Sequence, residues 1–103
     1  MKQIERIEKM EQYLDESEQA IRVLSEALER YEAVQNSLKK LSDYYGSTLW
    51  MKDFEDDEAG KLPQELKRAV LSEDTVYDLL TNHRELVLRM SKAVTKSIDE
   101  KTI

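Results

Sequence analysis

From Ile4 to Tyr45 apolar residues recur at steps of three and four. Ile7, Met10, Leu14, Ile21, Leu24, Leu28, Tyr31, Leu38 and Tyr45 share one seam, on which Ser17, Gln35 and Ser42 are the polar members. A repeat near 3.5 lines one face of a helix, and such a face must be buried against another helix. The pattern therefore predicts one helix over about 3–45. Gly46 ends it, because glycine readily takes the left-handed conformation that closes a helix C-terminus. Glu5 with Lys9, Glu18 with Arg22 and Glu26 with Arg30 stand four apart in the favourable order, each pair adding about 0.2–0.5 kcal/mol on a helix surface. Asp15 to Ser17 is where an internal break would fall.

The periodicity fails after Gly46. Residues 46–62 read as an acidic, aromatic loop that can hold one helical turn. Pro63 suits the first position of a short helix over about 63–70, where its missing N–H is no loss. Ser72 has the chemistry of an N-cap, Glu73 and Asp74 complement the positive helix end, and Leu71 can staple onto Val76. A last helix is expected over about 73–98, fraying from Asp99 to Ile103, with Val76, Leu79, Leu80, His83, Leu86, Val87, Met90, Ala93 and Val94 on its apolar face. The whole reads as a single all-α domain, 1–103. Its long N-terminal helix packs antiparallel against a shorter C-terminal helix, and a loop and short helix join them in a helical hairpin or bundle.

Length makes this hairpin unequal. At 1.5 Å per residue, a helix from Gln3 to Tyr44 is about 63 Å long and one from Glu73 to Ile98 about 39 Å. Roughly the first four turns of the long helix are then left uncovered, with Ile4, Ile7, Met10, Tyr13 and Leu14 exposed. An exposed apolar strip marks an interface in a soluble protein. Self-association, with a dimer favoured, is the simplest way to cover it. A fold-back at Asp15 to Ser17 and a different protein partner are the alternatives.

Composition agrees with long solvated helices. Charged residues are 37% of the 103 and hydrophobic residues 40%, with two glycines and one proline, which disfavours strands joined by tight turns. The chain has no cysteine, so disulfides and thiolate metal sites are excluded, and a reducing, cytoplasmic compartment is the expectation. No apolar run reaches the roughly 20 residues needed to cross a bilayer, and the N-terminus lacks the apolar centre of a secretion signal. A net charge of −6 leaves no excess of cations for a nucleic acid or an anionic membrane surface. Neither is expected as a partner.

Tyr44, Tyr45, Trp50 and Phe54 are four of seven aromatic residues and stand within one short stretch. Rings with an apolar body and a polar tip serve as anchors at interfaces. They serve equally as a satellite core that closes a hairpin at its turn, joined here by Tyr77. Both roles stay open, the structural one favoured. The acidic run from Asp53 to Glu58 invites a calcium reading. However, if Asp53 opens an EF-hand loop, Glu58 falls where a glycine is needed and Gln64 where a bidentate glutamate belongs. A divalent-metal or small-ligand site on Asp53, Asp57 and Glu58 is the weaker alternative. His83 is a lone histidine on an apolar face, a packing residue rather than a base or a ligand. Lys67 and Arg68 have acidic neighbours in sequence. No nucleophile elbow, phosphate loop or zinc motif can be assembled, so neither an enzyme nor a cofactor is expected.

Two stretches, IERIEKMEQYLDE at Ile4 to Glu16 and DYYGSTLWMKDFEDDEAGKLPQELKRAVLSEDTVYDLL at Asp43 to Leu80, resemble a small bacterial family known as domain of unknown function 4298. The resemblance rests on Tyr44-Tyr45-Gly46-Ser47, Trp50, Asp53, Asp57-Glu58, Gly60, Pro63, Leu66-Lys67-Arg68 and Leu71-Ser72-Glu73-Asp74 with Tyr77. It implies a stand-alone, cytoplasmic helical protein and no activity. The family pattern has glycine after the Lys-Arg pair. Ala69 stands there in this chain and favours a continuous short helix.

Overall fold

The computed structural model describes residues Met1 to Thr102. Its elements are helix α1 (Lys2–Tyr44), helix α2 (Thr48–Glu58), a 3₁₀ turn (Ala69–Leu71) and helix α3 (Thr75–Asp99). Among the described residues there is no strand. The chain divides into two units, Met1–Leu38 and a second that begins at Lys39.

The first unit is helix alone. It runs unbroken through Asp15 to Ser17, as a seam without glycine or proline permits. No residue of α1 is buried. Ile4, Ile7, Met10 and Leu14 are about half exposed, at 50%, 51%, 53% and 48%. The strip extends further than the first four turns, since Ile21, Leu24 and Leu28 are exposed as well. Lys9 does not reach Glu5. Its ammonium lies 3.5 Å from the Gln12 side-chain oxygen and 5.3 Å from the centre of the Tyr13 ring.

The second unit holds the core. Trp50, Leu71 and Val76 are buried, at 7%, 6% and 2% exposure, and the 3₁₀ turn packs against both α2 and α3. Gly46, at φ +78°, carries the chain out of α1. Ser47 then caps α2, its hydroxyl accepting the Trp50 N–H at 3.2 Å. Residues 48–58 are thus helical where the lost periodicity predicts a loop. An N-cap, the Lys52–Asp56 pair at 3.4 Å and an apolar Trp50–Phe54 edge four residues apart supply what a full apolar stripe would otherwise give. Gly60, at φ +71°, ends α2. Its N–H donates to the Asp57 carbonyl and that of Lys61 to the Asp56 carbonyl, the paired bonds of a Schellman motif.

The short helix expected over 63–70 does not form. The Pro63 carbonyl accepts the Leu66 N–H at 3.2 Å, making a turn. It also accepts from Nη2 of Arg68, while Nε of Arg68 donates to the Leu66 carbonyl at 3.3 Å. These carbonyls would serve N–H groups four residues on in an α-helix. Ala69 therefore opens a single 3₁₀ turn rather than continuing a helix. Ser72 accepts the Asp74 N–H at 3.3 Å, bending the chain just ahead of α3, and Asp74 rather than Ser72 occupies the cap position. α3 closes with Lys101 at φ +57°. The expected fraying reaches Ile103, which lies outside the described residues.

Candidate functional site

The end of α1 and the whole of α2 bring the aromatic cluster together around Trp50. Its indole stacks on Phe54, with ring centres 5.2 Å apart and planes at 20°. Tyr45 meets the indole edge-on, also at 5.2 Å and at 68°. Offset and edge-to-face contacts of this kind contribute about 0.5–1.5 kcal/mol each beyond the area they bury. The indole N–H donates to the Val70 carbonyl at 2.8 Å. The buried ring is thereby anchored to the 3₁₀ turn through its one polar atom.

Two tyrosines extend the network in different directions. The Tyr45 hydroxyl donates to the Glu73 carbonyl at 2.9 Å, tying the end of α1 to the entry of α3. The Tyr44 hydroxyl donates to Asp53 Oδ2 at 2.6 Å, a short bond of the charge-assisted kind. Burial, then the hydrogen bond and the negative charge of Asp53, push the Tyr44 phenol from 10.0 up to about 12. Each of the three favours the protonated phenol.

Asp57 faces Arg68 rather than open solvent. The guanidinium forms an ion pair with Asp57 Oδ1 and hydrogen bonds with two backbone carbonyls, so one planar fork gathers α2 and the 63–66 turn. A lysine cannot present that geometry. Sequence reasoning treats Arg68 as an ordinary surface cation, and the signal it lacked is the run of free carbonyls that a turn after Pro63 exposes.

The structure separates the remaining candidates. Tyr77, expected to join the aromatic cluster, is 59% exposed, and its neighbour Val76 fills the core instead. On a helix, adjacent residues point about 100° apart, so only one of the two can face the 3₁₀ turn. Asp53 and Asp57 are engaged by Tyr44 and Arg68, and Glu58 is exposed at the end of α2. Among the described residues, no group of three or more His, Cys, Asp or Glu is arranged to hold a metal ion. An open, shallow depression lies beside Arg68, bordered by Phe54, Leu71 and Glu73. His83 is half-buried on α3. Ile4, Ile7, Met10 and Leu14 belong to the first unit, where each is about half exposed. No described helix is long and apolar enough to cross a membrane.

Residues 7–93 match the model of a family described as Domain of unknown function (DUF4298). Comparison with curated proteins and with solved structures gives no match. The matched span covers most of the chain and includes both the exposed seam and the Trp50 cluster, so the protein belongs to this family.

Proposed function

We propose that this member of the DUF4298 family is a noncatalytic helical interaction or structural module that self-associates through α1, a dimer being the simplest form. The observation that carries the reading is the α1 seam, apolar at most of its positions and without a buried residue along 43 residues of helix. Fully burying one such aliphatic side chain contributes about 1.5–3 kcal/mol, so several seam residues covered together outweigh the usual entropic cost of association. A second feature supports a helical partner. A straight α-helix drifts about 20° per heptad from a strict seven-residue repeat, and a left-handed supercoil with another helix corrects that drift.

The Trp50 cluster serves this module as a structural cap. Its central ring is buried, and the hydroxyls of Tyr44 and Tyr45 are tied to Asp53 and Glu73 of the same chain. The reading places the module in the bacterial cytoplasm, in keeping with a chain that has no cysteine.

Light scattering of the whole chain across a concentration series tests the proposal. The wild type is expected to exceed the monomer mass of 12.1 kDa as concentration rises. Ile7→Asp, which sets a charge on the seam, should shift it back to monomer while the Trp50 emission stays native. A wild-type monomer at every concentration would overturn the proposal.

A further inference from the structure

We infer that the occupant of the α1 seam is a second copy of this chain lying parallel and in register, so that Arg6 of each copy meets Glu11 of the other. This rests on the proposed self-association and adds its direction.

Charge on the flanks gives the direction. One flank carries Glu11, Glu18, Ser25, Glu32 and Lys39, and the other carries Arg6, Tyr13, Ala20, Ala27 and Val34. In an antiparallel pair each flank runs against its own copy, and an overlap of the N-terminal halves sets Glu11 beside Glu18. In a parallel pair each flank faces the opposite one. Arg6 then reaches Glu11 of the second copy, twice by symmetry, while Glu18 lies beside Tyr13 and Glu32 beside Ala27. Flanking charges of this kind set partner orientation in coiled coils. Within its own chain neither the Arg6 nor the Glu11 side chain makes an ion pair or hydrogen bond among the described residues, so both are available. Register follows from Gln35. Facing its own counterpart it gains an amide partner, whereas a slip by one heptad sets it against Leu28.

The chain has no cysteine, so single spin labels at Gln12→Cys and, separately, at Ala33→Cys report the direction. Both sites lie on the face away from the seam. A parallel, in-register pair gives a short distance at both sites, within about 30 Å for two helices side by side. In any antiparallel pair the two axial offsets sum to at least about 63 Å, because the sites are 21 residues apart. A dimer with a long distance at either site overturns the parallel direction and leaves self-association standing. A monomer overturns both, and a parallel trimer overturns the two-stranded form. Arg6→Glu should raise the dimer dissociation constant about tenfold, since two attractions become two repulsions. Adding Glu11→Arg should restore it. No response to the first change would remove the Arg6–Glu11 contact.

Discussion

Trp50 is the residue on which the second unit turns, since its ring supplies two aromatic contacts and its N–H is the one polar link to the 3₁₀ turn. Trp50→Ala removes all three, and for a buried tryptophan the loss is about 3–5 kcal/mol, enough to unfold a unit with so small a core. Trp50→Phe keeps a ring but deprives the Val70 carbonyl of its donor, at about 1–2 kcal/mol. Urea denaturation followed by circular dichroism should rank wild type, Trp50→Phe and Trp50→Ala in that order. Equal midpoints for the wild type and the alanine variant would mean that the cluster carries no stability. Tyr44 gives a prediction in pH. Its folded-state pKa is raised from 10.0 to about 12, so its share of stability is fully present below pH 10 and is lost as pH climbs through about 12. The wild type should show a late tyrosinate absorbance step near pH 12 that Tyr44→Phe lacks. Sequence alone brings Tyr44, Tyr45, Trp50 and Phe54 into one cluster because they are near neighbours. It misassigns Tyr77 because a single residue of helical register decides whether Val76 or Tyr77 faces inward.

At the scale of elements, the helices with an unbroken seam are legible and the connector is not. α1 and α3 begin and end within two residues of the expected positions, helped by Gly46 and by the apolar face of α3. α2 is missed because half of its inward face is polar: Asp53 and Asp57 point to Tyr44 and Arg68, partners that hydrophobic periodicity does not count. Two local signals were nonetheless present, Ser47 directly after the helix-ending Gly46 and Gly60 just after the acidic run. The 63–70 segment fails as a helix because Arg68, held by its ion pair with Asp57 of α2, captures the Pro63 and Leu66 carbonyls, a contact that hydrophobic periodicity does not encode. Gly60 offers the cleaner test of this region. A Cβ there would meet nothing within 4 Å, so a substitution feels only the left-handed backbone, at about 1–2 kcal/mol for an ordinary residue. Gly60→Ala should lower the melting temperature of the second unit, and Gly60→Asn, which tolerates φ > 0, should lower it less. Equal melting temperatures for the wild type and both variants would show that this turn is not held in the left-handed region in solution.

For the molecule as a whole, the two units draw stability from different sources. The second has buried residues and a hydrogen-bonded aromatic cluster of its own. The first, Met1–Leu38, has no buried residue, whereas most helical stability in proteins comes from packing an amphipathic face. If a second copy covers the seam, the helical state of the first unit depends on concentration, because association stabilises it by mass action. Amide hydrogen exchange separates the two contributions within one sample. Amides of Trp50 to Phe54 should exchange at the same slow rate from dilute to concentrated protein, protected by the second unit alone. Amides along the Ile7 to Leu28 seam should exchange quickly when dilute and slow progressively as the dimer fills. Ile7→Asp should abolish that concentration dependence without altering exchange at Trp50. Seam amides equally protected at every concentration would mean that α1 is stabilised without a second copy, and the exposed strip would then need another explanation than self-association.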